Sequence, residues 1–195
     1  MSRDDARLFL QKFVGQPGQV GSVVPSSRFL SVAMTGSVPW QSVSAAAELG
    51  AGTGAVTRYI AQNALPGTNV ALFEKDETMR ARLAREFPDY RCLRDAADML
   101  NSLENNGFGQ LDCILSGLPF FNFAPELRER LLGQIAGALK PGGYFVAFQY
   151  SLQMKKRLAE TFEMERIRFV PLNIPPAFVY VCRKRTDGHS SRMTL

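Results

Sequence analysis

Three glycines stand at alternate positions in the segment Glu48-Leu49-Gly50-Ala51-Gly52-Thr53-Gly54, between an apolar run and a helical pattern. Glycine has no Cβ and therefore lets the backbone approach a ligand closely. The free N–H groups of the following helix would face the same ligand. Glu74 ends the next apolar run, where its carboxylate could accept hydrogen bonds from both hydroxyls of a ribose. Together these features predict a site for an adenosine-type ligand.

Two kinds of adenosine ligand fit this loop. Gly50, Gly52 and Ala55 satisfy the G-x-G-x-x-G/A pattern of dinucleotide-binding folds. Glu48 favours S-adenosylmethionine instead, because a carboxylate there would repel a pyrophosphate and suits a cationic amino-acid moiety. The loop also follows a helical segment, whereas dinucleotide folds often have it near the start of the chain. We therefore predict S-adenosylmethionine as the cofactor, with a dinucleotide or a non-catalytic binding module as alternatives.

The segment 94–98 follows the third apolar run and fits the same scheme. The Asp95 carboxylate could accept the amino group of an adenine, and the Ala96 backbone N–H could donate to a ring nitrogen. Asp95 is equally suited to cap the helix that follows, and the two roles are compatible. The predicted cofactor-binding residues are Glu48, Gly50, Gly52, Gly54, Glu74, Asp95, Ala96 and Ser116.

The fourth apolar run continues into DCILSGLPFFNF, residues 112–123. Pro119 breaks the strand and Gly117 loosens it. We expect three residues of this segment to line the mouth of the cleft: Ser116, Leu118 and Phe120. An aromatic edge there would permit cation–π contact with a substrate ammonium. In the alternative interpretation, the phenylalanines of this segment belong to the core.

Apolar runs alternate with helical patterns through most of the chain. The predicted strands are 45–49, 69–73, 90–93, 111–116, 144–150, 165–170 and 177–183, and the predicted helices are 4–14, 26 or 27 to 34, 55–63, 76–87, 96–103, 125–139 and 153–161. This alternation predicts a doubly wound α/β fold with a mostly parallel sheet and a terminal antiparallel hairpin. Ligands of such sheets bind at the carboxyl ends of the strands, where the candidate residues lie.

Charge is distributed unevenly along the chain. The net charge of +5 divides into +2 for residues 1–44, −2 for 45–150 and +5 for 151–195. This asymmetry suits an anionic partner, such as a phosphate-bearing substrate, a membrane surface or RNA, and it suits solubility equally. We find neither a run of about 18 apolar residues that could span a membrane nor a secretory signal.

Metal binding is not expected from the cysteines. Cys92, Cys113 and Cys182 lie in apolar, strand-like runs without metal-type spacing. We interpret them as buried thiols of a protein in a reducing cytoplasm.

Several segments resemble a known family. ELGAGTGAVT (48–57) resembles the first motif of class I methyltransferases, and LKPGGYFVAF (139–148) resembles their fifth strand. With FLQKFVGQPGQVGSVVPSSRFLSVAM (9–34), SGLPFFNF (116–123) and NIPPAFVYVCRK (173–184), the chain resembles bacterial phospholipid N-methyltransferases of the soluble type. The resemblance spans nearly the whole folded chain, and VGSVVPSS is its most specific part. Ribosomal RNA adenine dimethyltransferases are a related group.

The resemblance implies a Rossmann-like, seven-stranded class I methyltransferase fold with an N-terminal helical cap. The implied divisions are a cap or membrane-interacting segment at 1–40, a cofactor-binding core at 41–185 and a flexible tail at 186–195. The first helix would dock on the bilayer, although a helix packed against the sheet would show much the same pattern.

The implied activity is methyl transfer from S-adenosylmethionine to the amino head group of phosphatidylethanolamine. The enzyme would be cytoplasmic and peripherally attached to an anionic inner-membrane surface. An RNA adenine or a small-molecule amine is the alternative acceptor. Amino-group methyltransferases often have Asn at the position of Ser116 and Tyr at that of Phe120. This departure argues against a nucleobase as the methyl acceptor.

The predicted catalytic residues are Ser116, Phe120 and Tyr150. The single histidine, His189, lies in a polar tail, so Tyr150 or water remains as the route for the substrate proton. Arg28 or Arg168 could hold the lipid phosphate.

Overall fold

The structure, a computed structural model, describes residues 26–186. The predicted helix at 4–14 and His189 lie outside these residues. Along the described part the elements are α1 (Arg28–Thr35), β1 (Ala45–Leu49), α2 (Thr57–Asn63), β2 (Asn69–Phe73), α3 (Glu77–Glu86), β3 (Arg91–Leu93), α4 (Met99–Asn105), β4 (Leu111–Ser116), α5 (Pro125–Ala138), β5 (Leu139–Gln149), α6 (Lys155–Thr161), β6 (Glu163–Val170) and β7 (Ala177–Arg183).

One seven-stranded sheet organises these elements, in the order β3-β2-β1-β4-β5-β7-β6. The strands β1 to β5 are parallel, whereas β7 runs antiparallel to both β5 and β6. The predicted doubly wound sheet and terminal antiparallel hairpin are therefore confirmed. The strand order reverses between β1 and β4, and this switch point opens a crevice at their carboxyl ends.

Two apolar layers cover the sheet because successive side chains of a strand point to opposite faces. Helices α4, α5 and α6 pack on one face, through residues such as Met99, Ile135 and Leu158. Helices α1, α2 and α3 pack on the other, through residues such as Leu30 and Ile60. No helix within residues 26–186 combines the length and the apolar character needed to cross a membrane.

Side-chain caps fix where two helices begin. Ser27 Oγ accepts the Leu30 N–H before α1, and Asp76 Oδ1 accepts the Met79 N–H before α3. Each cap satisfies an N–H group that has no partner within its helix. These caps agree with the predicted helix starts, at residue 26 or 27 and at residue 76.

Several predicted boundaries differ from the structure, and three of the differences have a clear structural reason. Helix α2 begins at Thr57 rather than at residue 55, because the turn after the glycine loop occupies the preceding residues. The predicted helix at 96–103 divides into a 3₁₀ turn, Ala96–Asp98, and α4. Strand β5 starts at Leu139, because Leu139 already pairs with Leu111 of β4.

Asp112 lies at the amino-terminal end of β4, at the end of the strands opposite the crevice. Its carboxylate accepts the N–H groups of Ser44 and Ala45 and pairs with Lys140. Burial opposes ionisation, but these hydrogen bonds prevail and hold the pKa of Asp112 at about 2, below the usual 3.8.

We expect Asp112→Asn to lower the free energy of unfolding by about 2 kcal/mol at pH 7. Because the folded-state pKa is depressed, this contribution is present above pH 4 and is lost as the pH falls toward 2. Urea unfolding at pH 7 and pH 3 measures the difference, with exposed Asp89→Asn as the control. An equal deficit at both pH values would contradict the assignment.

Candidate functional site

The glycine loop turns sharply after β1. Gly50, Gly52 and Gly54 have φ of 74°, 54° and 78°, a region that side chains other than glycine rarely adopt. A Cβ on Gly54 would lie 3.1 Å from the Phe87 ring, so this glycine lets α3 pack closely. A Cβ on Gly52 would meet only the Gly50 carbonyl oxygen, at 3.9 Å. The space beside Gly52 is therefore open to a ligand.

Glu74 stands beside this open space at the end of β2. Its Oε2 accepts the Gly52 N–H over 2.7 Å, and its Oε1 accepts the Asp76 N–H over 2.9 Å. An ionised carboxylate has about four acceptor positions, so each oxygen retains one for a ribose hydroxyl. The loop and the carboxylate thus fit the sugar of S-adenosylmethionine.

Glu48 lies beneath the loop and is buried. Its Oε2 accepts the Thr57 hydroxyl over 2.6 Å. Burial raises the pKa of Glu48 from 4.5 to about 8; the Thr57 hydrogen bond opposes this shift, and the negative charge of Glu74 adds to it. A cationic group nearby would favour the ionised form. The position therefore suits the ammonium of an amino-acid moiety.

Asp95 caps the 3₁₀ turn after β3. Its Oδ1 accepts the Ala97 N–H over 2.9 Å, and its Oδ2 lies 3.7 Å from Lys75 Nζ. This confirms the capping role, while the contact with adenine stays a prediction. The Glu74 N–H donates to the Leu93 carbonyl over 3.0 Å, which brings the second and third loops together. Ala96 is almost buried in this turn.

The loop after β4 rests on the glycine loop. The Gly117 N–H donates to the Leu49 carbonyl over 2.9 Å, and a Cβ on Gly50 would approach Leu118 Cδ2 within 3.0 Å. Leu118 is half-buried at this contact. Ser116 is fully buried rather than lining the mouth, because its hydroxyl accepts the Leu118 N–H over 3.2 Å. Ser116 therefore shapes the loop from below.

Phe120 does not line the mouth of the cleft, and that expectation is wrong. Its ring is fully buried in the core and makes edge contacts with Phe123 and Phe145 at centroid distances of 6.3 and 6.1 Å. The 3₁₀ turn Phe120–Asn122 directs this ring inward, and Phe121 is exposed instead. The core interpretation holds for Phe120, so its ring is not available for cation–π contact with a substrate.

Tyr150 follows β5 on the same edge and packs against Phe148, with ring centroids 5.6 Å apart. Burial raises the pKa of Tyr150, and a hydrogen bond with the Asn173 side chain partly opposes that shift. A raised pKa makes the phenolate scarce at neutral pH. Tyr150 is therefore better suited to orient a substrate by hydrogen bonding than to take its proton.

Two amide side chains stabilise the loops that follow β4 and β6, and sequence reasoning missed both. We call this part of the crevice the acceptor side, and the part formed by the glycine loop and the loops after β2 and β3 the donor side. Buried Asn173 accepts the Ser27 N–H over 3.0 Å and donates to the Pro175 carbonyl over 2.7 Å. Gln149 donates to the Leu118 carbonyl over 2.8 Å. The available signal was a carboxamide inside the apolar NIPPAF segment, since buried polar groups are paired.

Arg128 was also missed. From the first turn of α5 it donates to three carbonyls of the preceding loop, those of Phe120, Phe121 and Phe123, over 2.9 to 3.0 Å. A cation in a first turn is unfavourable to the helix dipole, and this was the signal that a compensating contact exists. Arg128 fixes the loop that carries Leu118.

We expect Arg128→Lys to lower kcat about tenfold with little change in donor affinity, since a lysine cannot reproduce the three bonds. Arg130→Lys is the matched comparison, because Arg130 donates to the Ala97 carbonyl over 2.8 Å on the donor side. That variant should weaken donor binding more than it lowers kcat. Steady-state kinetics and calorimetry measure both quantities, and identical effects in the two variants would contradict this division.

No cluster of three or more His, Cys, Asp or Glu side chains in residues 26–186 could hold a metal ion. Cys113 and Cys182 are buried free thiols, as predicted, whereas Cys92 is half-buried.

The sheet order, the glycine loop and the Glu74 carboxylate after β2 define an S-adenosylmethionine-dependent methyltransferase of the class I fold. The chain belongs to the methyltransferase-domain family, whose model matches residues 47–145. It is 34% identical over 186 residues to an ornithine lipid N-methyltransferase of Singulisphaera acidiphila. The alignment covers 92% of this chain and 96% of the relative. The expected resemblance to bacterial lipid N-methyltransferases is thus confirmed, and S-adenosylmethionine is the cofactor.

Solved structures confirm the fold. The chain matches the 1,6-didemethyltoxoflavin-N1-methyltransferase of Burkholderia thailandensis, whose structure contains S-adenosylhomocysteine, with a TM-score of 0.68, 17% identity and coverage of 95% of this chain and 91% of the other. It matches TrmN of Thermus thermophilus with a TM-score of 0.63, 22% identity and coverage of 90% of this chain. This chain spans 53% of TrmN.

Proposed function

We propose that this protein transfers methyl groups from S-adenosylmethionine to the amino head group of a bacterial membrane lipid. The 34% identity to an ornithine lipid N-methyltransferase, over 92% of the chain, carries this proposal. Ornithine lipid and phosphatidylethanolamine are the candidate acceptors. The relative favours the first, and the sequence resemblance to phospholipid N-methyltransferases favours the second. Both present a primary amine beside an anionic or polar group.

The cofactor, when bound, supplies a methyl group on a sulfonium that needs no further activation. The protein therefore contributes chiefly alignment and a dry site. On the donor side, we propose that Glu74 binds the ribose, Glu48 faces the ammonium of the amino-acid moiety, and Asp95 and Ala96 bind the adenine. Gly50 and Gly52 leave room for the backbone to approach.

On the acceptor side, the loop after β4 is fixed beside the glycine loop by Arg128 and Gln149. We propose that carbonyl oxygens of this loop and the Tyr150 hydroxyl orient the acceptor nitrogen toward the methyl group. Ser116 acts by shaping the loop. The substrate ammonium must lose a proton first, and water is the favoured route because the pKa of Tyr150 is raised.

The proposed location is the cytoplasmic face of the inner membrane, with peripheral attachment. In this arrangement residues 41–185 form the catalytic core and residues 1–40 contribute to the cap that faces the lipid.

The decisive experiment is methyl transfer from radiolabelled S-adenosylmethionine to vesicles that contain ornithine lipid or phosphatidylethanolamine. Head groups are then separated by chromatography. We expect label in at least one of the two lipids, retention of activity in Glu77→Gln and its loss in Glu74→Gln. No labelled lipid despite donor binding, or transfer only to RNA or a soluble amine, would reject the proposal.

A further inference from the structure

A groove of about 580 Å³ lies between α1 and the end of β6. We call it the α1–β6 groove. Its walls include Arg28, Phe29, Val32, Tyr59, Arg168 and Leu172. None of the described residues that line it is acidic. The groove is therefore both apolar and cationic.

The groove opens at the catalytic edge of the sheet. Val170 of β6 pairs with Ala177 of β7, and Phe178 pairs with Gln149 of β5. The connection 171–176 consequently lies beside the carboxyl end of β5, where Tyr150 follows. Within that connection, the Asn173 side chain accepts the Ser27 N–H at the start of α1 and donates to the Pro175 carbonyl. A ligand on this surface would face the acceptor side of the site.

Large exposed apolar side chains are concentrated here. Ten such residues occur on the described surface, and half of them belong to α1 or to residues 169–174: Phe29, Val32, Phe169, Leu172 and Ile174. Leu172 and Ile174 are 61% and 71% exposed. Single exposed apolar residues are common, but a contiguous group indicates an interaction surface.

Two arginines accompany these side chains. The Arg28 guanidinium lies 4.8 Å from the centroid of the Phe29 ring. Neither Arg28 nor Arg168 forms an ion pair with another of residues 26–186. A guanidinium matches the geometry of a phosphate, and cations beside apolar side chains suit the interface of an anionic bilayer.

We propose that the α1–β6 groove and the exposed side chains beside it dock the protein on an anionic lipid bilayer. Arg28 and Arg168 bind lipid phosphates, and Leu172 and Ile174 enter the apolar boundary. Docking in this orientation turns the acceptor side of the site toward the head groups. The proposal rests on the proposed lipid function, since a soluble acceptor would need no such orientation.

The test is sedimentation of the full chain with vesicles of phosphatidylcholine alone or mixed with phosphatidylglycerol. We expect salt-dependent binding to the anionic vesicles. Leu172→Ser with Ile174→Ser should weaken it at least tenfold, and Arg28→Gln with Arg168→Gln should weaken it about fivefold for each arginine. These changes are at exposed or groove positions, and donor affinity, measured in parallel, verifies that each variant is folded.

Matched controls lie at the opposite edge of the sheet. Leu65→Ser and Arg91→Gln replace exposed residues of the same types, and both variants should bind vesicles as the wild type does. If the groove variants bind vesicles as strongly as the wild type does, the proposal is overturned. This includes the case in which residues 1–25 alone bind the membrane. Arginine-dependent binding of inorganic phosphate or RNA without vesicle binding would also overturn it.

Failure of docking and failure of the proposed function are distinguishable. If the groove variants retain vesicle binding while detergent-dispersed lipid is methylated, the docking surface is wrong and the function stands. If the groove variants lose vesicle binding while the wild type methylates neither lipid, docking stands and the acceptor is wrong.

Discussion

Glu74→Gln is expected to weaken binding of S-adenosylmethionine about 100-fold. A charged acceptor shared by two ribose hydroxyls contributes about 1.5–3 kcal/mol, which the amide would lose. The same carboxylate accepts the N–H groups of Gly52 and Asp76, so the variant also loosens the turn that faces the ligand. Titration calorimetry with S-adenosylhomocysteine measures the affinity without turnover.

Glu77→Gln provides the control for this experiment, because Glu77 lies three residues away in the exposed first turn of α3. It removes the same charge without touching the proposed ribose site. A similar loss of affinity in both variants would mean that general electrostatics, rather than a contact with Glu74, explains the effect. An unchanged affinity in Glu74→Gln would remove this residue from the site.

The donor half of the site could be predicted from local pattern. Glu48, the glycine loop and Glu74 each lie at the end of an apolar run, and parallel strands bring such ends together. Strand periodicity is a local property, so its consequences are visible in the sequence. The predicted helix starts at residue 26 or 27 and at residue 76 are local in the same sense, because a capping side chain lies close in sequence to the N–H group whose hydrogen bond it accepts.

The acceptor half depends on contacts that no local pattern reports. A proline after a strand predicts a break but does not determine which way the following ring turns, and so the orientation of Phe120 was missed. Asn173 and Ser27 are 146 residues apart, and their hydrogen bond joins a loop to a helix start. Arg128 donates to backbone carbonyls. Because every residue has such a carbonyl, no residue type in the sequence marks these partners.

The stability of the protein is expected to depend on pH through Glu48. Its folded-state pKa of about 8 exceeds the ordinary 4.5, so between these values the folded protein holds a proton that the unfolded chain lacks. Its contribution to stability is fully present below pH 4.5 and is lost as the pH rises through 8. The slope is about 1.4 kcal/mol per pH unit at most, and Glu48→Gln should lack it.

Donor binding should release this proton. Near pH 6.5 the ligand ammonium is charged, and facing it requires Glu48 to ionise in a buried position. Calorimetry in buffers of different ionisation enthalpy should therefore show about one proton released by the wild type and none by Glu48→Gln, whose affinity is weaker and nearly independent of pH below 7.5. Glu74→Gln should release less than the wild type, because Glu74 helps to raise the pKa of Glu48. Equal proton release in the wild type and Glu48→Gln would show that another group meets the ammonium.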